Sequence, residues 1–282
     1  MVRAPGFLAI GHVTKDLLPG GGYTMGGTVT YAALTARNLG VSTAVLTSAP
    51  PDLDVSGKLK GIQVHIVPAQ CATTFANIYE NGKRRQFLHG TATPLAAAHL
   101  PPDWKTSPIV LMGPLAGELG LEWLGVFPLA VVGVTPQGWM RQWNGDGTVT
   151  AKPWQEAEQI LPRVDVLVFS EEDVGRDEAL IRRYAGLVRI AVVTRGCGGA
   201  TVFRDGVGRS FPAFRAQEVD PTGAGDVFAA AFLVRLRETG DAYVAAAFAN
   251  CTASFAVEGN GTTTIPTRQQ VEERLRSGRF CY

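Results

Sequence analysis

Short apolar segments recur along the chain, separated by stretches long enough to form a helix or a loop. Each segment is rich in β-branched residues, is apolar on both faces and is bounded by Gly, Pro or Asp. Segments of this kind are typical of strands buried in a parallel sheet. The predicted strands are Phe7–Gly11, Thr43–Thr47, Gln63–Val67, Ile109–Met112, Ala130–Val134, Val164–Phe169 and Ile190–Thr194.

Helix-like segments lie between these strands and after them. The predicted helices are Thr28–Asn38, Glu118–Leu124, Glu171–Gly186, Gly225–Glu238 and Ala242–Val257. Alternation of strands and helices favours right-handed crossovers, with helices on both faces of a mostly parallel sheet. The pattern therefore predicts a three-layer α/β/α fold.

One part of the chain breaks this rhythm. Thr73–Glu80 and Lys83–His89 flank Asn81-Gly82, a pair that supplies the positive φ values of a type I′ hairpin turn. Asp205-Gly206 predicts a second hairpin in the same way. No helical segment follows the first hairpin closely, so we interpret residues 72–90 as a small β lid. With no internal repeat or low-complexity linker, residues 1–282 are predicted to form one domain.

Composition and charge narrow the classes of partner. The chain has 282 residues, 46% of them hydrophobic, a mean hydropathy of +0.09 and a formal net charge of +1. No block of one charge predominates, so we expect no nucleic-acid or anionic-membrane surface. Four cysteines lie far apart without a CxxC pair, and Met1–Gly11 lacks the features of a signal peptide. These observations predict a cytoplasmic protein with unpaired thiols.

The most informative motif is a glycine-rich turn before an apolar helix, Asp220-Pro221-Thr222-Gly223-Ala224-Gly225-Asp226. An exposed helix N-terminus binds anions, and glycines let the backbone approach phosphate oxygens closely. A carboxylate at Asp226 would repel phosphate, but it suits a base that accepts a proton from an attacking hydroxyl. The alternative is an ordinary loop in which Asp226 only stabilises the start of the helix.

This motif and the helix after it resemble the C-terminal signature of the ribokinase/PfkB family of carbohydrate kinases. The resemblance implies a ribokinase-like fold and ATP-dependent phosphorylation of a hydroxyl of a sugar or polyol, with Mg²⁺ as cofactor. Asp226 would be the catalytic base. The anion hole would be formed by Thr222, Gly223, Ala224 and Gly225. A requirement for a monovalent cation and the choice between monomer and homodimer stay open.

The same resemblance implies an acceptor site near the N-terminus. Asp16 would bind substrate hydroxyls, and the diglycine Gly26-Gly27 would let the acceptor approach the backbone. Family members often have Asn where this chain has Tyr31, which changes the shape of the pocket. Gln137 and Arg141 belong to a segment similar to the inositol-kinase-like branch and would face the acceptor. The short connection Leu17–Met25 predicts that the 72–90 hairpin alone forms the lid.

The remaining matches imply a nucleotide and metal site. Thr194, Arg195, Gly196 and Gly199 resemble the family segment that lines the nucleotide. Asn250, on the second buried helix, would lie in the adenine pocket or bond a backbone partner, because a buried unpaired amide is costly. Ser170 and Asp173 replace the Asn and Glu of a motif that orders magnesium through water and phosphate contacts. Both are also suitable helix-start residues.

Several other classes of protein are weighed against this interpretation. The chain has no GxxxxGK[ST] phosphate loop, no GxGxxG after its first strand and no protein-kinase HRD or DFG motif. A nucleoside kinase remains an alternative, because Tyr31 could stack on a base. A sensor of the same fold without catalysis also remains, although it would not need Asp226. A glycosidase using Asp220 and Asp226 is less favoured because nothing else resembles a glycan cleft.

Overall fold

A computed structural model describes residues 4–80 and 83–281. Its strands are β1 Phe7–Ile10, β2 Thr14–Leu17, β3 Tyr23–Gly26, β4 Thr43–Ala49, β5 Gln63–Pro68, β6 Thr73–Glu80, β7 Lys83–Gly90, β8 Ile109–Met112, β9 Val131–Val134, β10 Arg141–Trp143, β11 Val149–Ala151, β12 Val166–Ser170, β13 Ile190–Thr194, β14 Ala200–Arg204 and β15 Val207–Phe211. Its helices are α1 Thr28–Asn38, α2 Val55–Lys58, α3 Ala157–Ile160, α4 Glu178–Ala185, α5 Ala224–Thr239, α6 Ala242–Ala256 and α7 Arg268–Ser277.

The central sheet confirms the predicted α/β class. In the described part of the chain it has nine strands in the order β15-β14-β13-β12-β9-β8-β1-β4-β5. The seven neighbouring strands β13-β12-β9-β8-β1-β4-β5 pair in parallel, whereas β14 and β15 pair antiparallel at one edge. All seven predicted parallel strands are present. The carboxyl ends of β1, β8, β9, β12 and β13 therefore meet along one edge of the sheet.

Two apolar cores cover the two faces of this sheet. Along β1, Phe7 and Ala9 pack with α1, α5 and α6, whereas Leu8 and Ile10 pack on the opposite face. Successive strand residues point to opposite faces, so a strand that is apolar at every position contributes to both cores. In α5, Phe228 stacks on Phe232 with ring centroids 6.0 Å apart. Both rings are buried in the same core as Phe7 and Ala9, so α5 packs against the sheet with its N-terminus at the carboxyl edge.

The lid is larger than the sequence predicted. The Leu17–Met25 connection is not a plain loop, because it contains parts of β2 and β3, which pair antiparallel. They join β6 and β7 in a four-stranded sheet of order β3-β2-β6-β7. The prediction that the 72–90 hairpin alone forms the lid is therefore wrong. The predicted turn at Asn81-Gly82 lies outside the described residues.

Two predicted helices differ from the observed structure. The 118–124 segment has only a short 3₁₀ turn, because the buried carboxylate of Glu118 accepts backbone N–H groups of His12, Leu115 and Ala116 at 2.8–3.0 Å. The 171–186 segment is divided into a 3₁₀ turn and α4. Gly175 and Arg176, both with φ of 61°, are left-handed and interrupt it. None of the helices in residues 4–80 and 83–281 is long and apolar enough to cross a bilayer.

Candidate active site

A cavity of about 890 Å³ follows the carboxyl edge of the sheet. Its lid end is lined by Thr14, Asp16, Phe75, Asn77 and Gln86. Its outer end, beside β13–β15 and α6, is lined by Gly199, Ala213, Phe214, Asn250, Ala253 and Val257. The N-terminus of α5 lies between the two ends. A cavity of this size is large enough for a drug-sized ligand and more.

The turn before α5 presents backbone groups to this cavity. Thr222, Gly223, Ala224 and Gly225 line its wall, and Gly223 has a φ of 80°, which favours glycine. No side chain of the described residues caps the first N–H groups of α5. Asp220 does not line the cavity, and its Oδ1 accepts the backbone N–H of Thr222 at 2.9 Å. Asp220 thus shapes the turn and is not available to a ligand in the cavity. The glycosidase alternative needs both Asp220 and Asp226 in the site, so this arrangement argues against it.

Asp226 is half-buried and lines the cavity in the first turn of α5. The pKa of this carboxyl is raised to about 6, mainly by burial and in addition by the nearby carboxylates of Asp173 and Asp16. A hydrogen bond from Thr28 and the charge of Arg141 act in the opposite direction. A carboxylate with a pKa near 6 is ionised at neutral pH and is a stronger base than an exposed aspartate.

The lid end carries the residues predicted to bind the acceptor. The carboxylate of Asp16 accepts the Thr14 hydroxyl at 3.0 Å. Gly26 does not line the cavity, but a Cβ there would lie 2.0 Å from Asp16 Oδ2. Its role is therefore to make room for that carboxylate, rather than to contact a ligand. Gly27 does line the cavity. It is the N-cap residue of α1 and has a φ of 90°.

Gln137, in the 3₁₀ turn after β9, and Arg141, the first residue of β10, line the cavity wall. Arg141 Nη1 donates to Gln86 Oε1 of the lid at 3.0 Å, and Gln86 Nε2 donates to Asn77 Oδ1 at 3.2 Å. The lid residues Asn77 and Gln86 have no motif in the sequence that would have identified them. They face the cavity because they are a directly opposed pair in the β6–β7 ladder.

Tyr31 lies on α1, and its ring contacts Gly223. It is only 4% exposed, yet it lines the cavity. Burial raises the pKa of its phenol, and the carboxylates of Asp226, Asp16 and Asp220 raise it further. The hydroxyl group is therefore protonated at any physiological pH. The ring therefore lies between α1 and the turn before α5.

The residues predicted to bind a nucleotide lie toward the outer end of the cavity. Thr194, Arg195, Gly196 and Gly199 all line it. Arg195 is held in place by two ion pairs, with Glu171 at 2.5 Å and Glu178 at 2.9 Å. Asn250 donates from Nδ2 to the carbonyls of Phe211 and Pro212, at 3.1 and 3.2 Å. The backbone partner expected for Asn250 is therefore present, and Phe214 adds an aromatic wall.

Ser170 and Asp173 make the reciprocal hydrogen bonds of a capping box. Asp173 Oδ2 accepts the N–H of Ser170 at 2.9 Å, and Ser170 Oγ accepts the N–H of Glu172 at 3.2 Å. Both residues also line the cavity. The described residues contain no cluster of three or more His, Cys, Asp or Glu suited to a metal. One carboxylate and one hydroxyl fit a magnesium ion that takes most of its ligands from phosphate and water.

Known proteins resemble this chain in sequence. A family model described as pfkB family carbohydrate kinase matches residues 139–268. A cytidine kinase of Thermococcus kodakarensis is 28% identical over 80% of this chain and 86% of its own length. A 2-dehydro-3-deoxygalactonokinase of Haloferax volcanii is 35% identical over 43% of this chain. The chain spans 41% of that protein, and 50% of a nucleoside kinase from Methanocaldococcus jannaschii.

Solved structures resemble it over nearly the whole chain. A pyrophosphate-dependent kinase in the ribokinase family, complexed with a pyrophosphate analogue and myo-inositol, has a TM-score of 0.80 and 26% identity, covering 94% of this chain and 99% of that one. Arabidopsis thaliana ribokinase, complexed with ribose and ATP, has a TM-score of 0.77 and 19% identity, covering 97% and 99%. The fold is therefore ribokinase-like, and residues 139–268 carry a match to the pfkB family of carbohydrate kinases.

Proposed function

We propose that this protein is an ATP-dependent kinase that phosphorylates a hydroxyl of a sugar or polyol, within a single domain. The observation that carries the proposal is the position of Asp226. Its carboxylate lies in one cavity with the Gly223–Gly225 turn and with Asp16. A base beside a helix N-terminus that no side chain caps can accept a hydroxyl proton while the helix end stabilises charge on the transferred phosphoryl group.

The roles of the two ends of the cavity follow from their chemistry. The lid end has a carboxylate, a hydroxyl and two amides, which suit an acceptor with several hydroxyls. The outer end is less polar, with Ala213, Phe214, Ala253 and Val257 on its wall. An apolar slot of this kind suits a nucleobase, and pyrophosphate alone would leave it unused. Thr194 and Gly196 line the same cavity and would contact the phosphates of a triphosphate that extends from the slot to the turn before α5.

Magnesium supplies charge neutralisation for the donor phosphates in reactions of this kind. Asp173 and Ser170 are the residues that would hold it here, through oxygen contacts. Asp226 removes the hydroxyl proton, and Asp16 orients the acceptor so that the hydroxyl faces the donor. Arg141 adds a positive charge to the same cavity, beside Gln86 of the lid. Phosphoryl transfer depends mainly on such positioning and charge stabilisation.

Two variants of this function have support of their own. Cytidine kinase is a relative over most of the chain, and Phe75 on the inner face of the lid offers a stacking surface for a nucleoside base. A kinase that uses pyrophosphate is among the most similar solved structures. The acceptor and the donor therefore both require a direct test, with the inositol branch as the first candidate among polyols.

The test is a matrix of two donors and several acceptors. ATP or pyrophosphate would be combined with myo-inositol, D-ribose, 2-dehydro-3-deoxygalactonate or cytidine, and the phosphate ester would be identified by mass spectrometry and ³¹P NMR. We expect ester formation with ATP and a sugar or polyol. Asp226→Asn is the control for background transfer. Ligand binding without ester formation from any pair would support a sensor and overturn the kinase proposal.

A further inference from the structure

Thr135 was not identified from the sequence, and the structure places it at the floor of the cavity. It follows β9, and its backbone N–H donates to the carbonyl of Met112 at 3.0 Å. The residue is 8% exposed and lines the cavity between the ends of β8 and β12. Gln137 and Arg141 follow it in the chain and line the same cavity.

The hydroxyl of Thr135 is buried without a partner. Among the described residues, three buried side-chain atoms lack a hydrogen bond: Thr135 Oγ1, Trp154 Nε1 and Arg235 Nε. Thr135 alone of these three residues lines the cavity. A buried polar group without a partner costs about 1–3 kcal/mol, and valine would fill the same space without that cost. A hydroxyl at this place therefore indicates a partner that enters through the cavity.

The surroundings of Thr135 connect it to the base. A Cβ at Gly113 would lie 2.3 Å from Thr28 Cγ2 and 3.3 Å from Thr135 Oγ1. Both threonine side chains thus lie over the same glycine, and a larger residue would displace them. Thr28 is the residue that hydrogen bonds to Asp226. The unpaired hydroxyl therefore lies near the threonine side chain that bonds the carboxylate.

We propose that Thr135 binds an oxygen of the acceptor on the carbon next to the hydroxyl that Asp226 deprotonates. The site would then require a vicinal diol, with one oxygen at Asp226 and the other at Thr135. This inference rests on the proposed function and names the class of acceptor more narrowly. A site built to bond a substrate hydroxyl rejects an analogue that lacks it, because its own polar group is then left unpaired.

The first test is Thr135→Val, measured with whichever acceptor of the panel the wild type phosphorylates best. We expect kcat/KM for that acceptor to fall about tenfold or more, while KM for ATP stays within about twofold. The unfolding temperature of the ligand-free variant should stay equal or rise, since an unpaired buried hydroxyl is removed. Thr135→Ser, which keeps the hydroxyl, should restore most of the activity.

Thr252→Val is the matched control. Thr252 is fully buried in α6, and its hydroxyl donates to the carbonyl of Phe248 at 2.8 Å, away from the cavity lining. We expect this variant to keep wild-type kinetics, with an unfolding temperature that is unchanged or lower. A general effect of replacing buried threonine would appear in both variants, whereas a binding role appears only at Thr135.

The second test uses analogues of that acceptor that lack a single hydroxyl next to the phosphorylated position. The wild type should discriminate against one such deoxy analogue by about tenfold or more in kcat/KM, and Thr135→Val should lose that discrimination. Equal discrimination by both enzymes, or wild-type kcat/KM in Thr135→Val, overturns this inference and leaves the kinase proposal intact. Absence of transfer by the wild type to every acceptor overturns both.

Discussion

The ring of Tyr31 lies against the α-carbon of Gly223. A methyl group added to this glycine would come within 2.3 Å of ring atoms Cδ1 and Cε1. Gly223 also has a φ of 80°, so both the packing and the backbone require glycine. The contact connects the first helix of the fold, α1, to the turn that begins α5.

Gly223→Ala should therefore damage both the fold and the activity. Strained backbone of this kind costs about 1–3 kcal/mol, and the ring would have to move as well. We expect a lower unfolding temperature and a loss of about tenfold or more in kcat/KM for ATP. Thermal unfolding and steady-state kinetics check this. Wild-type values for both would show that the ring and the turn adapt without cost.

Gly225→Ala is the matched control for that variant. Gly225 lines the same wall, but its φ is not positive and an added Cβ meets no protein atom within 4 Å. In the first turn of α5, alanine should leave the unfolding temperature equal or higher. A rise in KM for ATP without loss of stability would support close approach of phosphate to this position. Loss of stability would contradict the open surroundings of Gly225.

The pH dependence of the reaction should report on Asp226. Its pKa is raised to about 6, and only the ionised form can accept the hydroxyl proton. As the pH falls through 6, kcat/KM for the acceptor should decrease, reaching about one tenth of its plateau near pH 5. The residual activity of Asp226→Asn should show no such decrease. An unchanged kcat/KM between pH 7 and pH 5 would exclude Asp226 as the base.

Asp16→Asn should affect the acceptor far more than the donor. Its carboxylate lies at the lid end, and loss of a charged hydrogen bond costs about 1.5–3 kcal/mol. We expect KM for the acceptor to rise about tenfold to a hundredfold, with KM for ATP unchanged. Asp52→Asn is the control. Asp52 is exposed and forms an ion pair at 3.3 Å with Lys15, the neighbour of Asp16 on β2. Equal effects at both positions would remove the proposed role.

The central sheet could be predicted because its strands are apolar at every position. Ile109–Met112 and Ile190–Thr194 have the predicted bounds. Their residues pack alternately into the two cores, so nearly every position is apolar and the strand stands out in the sequence. The lid strands β2 and β3 have only four residues each and are polar or exposed at most positions. In addition, β2 pairs with residues 73–76, which are distant in sequence. Local pattern alone therefore missed them.

The candidate site was predicted in part because its turn has a recognisable motif. Of the 18 residues proposed from the sequence, 17 line the cavity, and Gly26 lies behind Asp16. Their roles remain predictions. Thr135 carries no motif, and its significance appears only when burial and missing partners can be seen. The helix predicted from Glu118 was wrong for a similar reason, since its carboxylate is turned inward by backbone N–H groups that include that of His12, which is distant in sequence.

Asp226→Asn should also make the ligand-free protein more stable at neutral pH. The folded-state pKa near 6 lies above the ordinary value of 3.8, so the folded protein holds the proton more tightly than the unfolded chain. Stability therefore decreases as the pH rises from about 4 to 6, and the full penalty is present above that range. Asparagine keeps the shape and can still bond Thr28, but it carries no charge and avoids this penalty.

The measurement is thermal unfolding of both proteins at intervals from pH 4 to pH 8. The unfolding temperature of Asp226→Asn relative to wild type should increase between pH 4 and 6 and stay constant above pH 7. If the variant is more stable than the wild type but has lost about a hundredfold or more in kcat, the carboxylate of the wild type is retained for activity at a cost in stability. A variant that is less stable at every pH would instead show that Asp226 serves mainly to start α5.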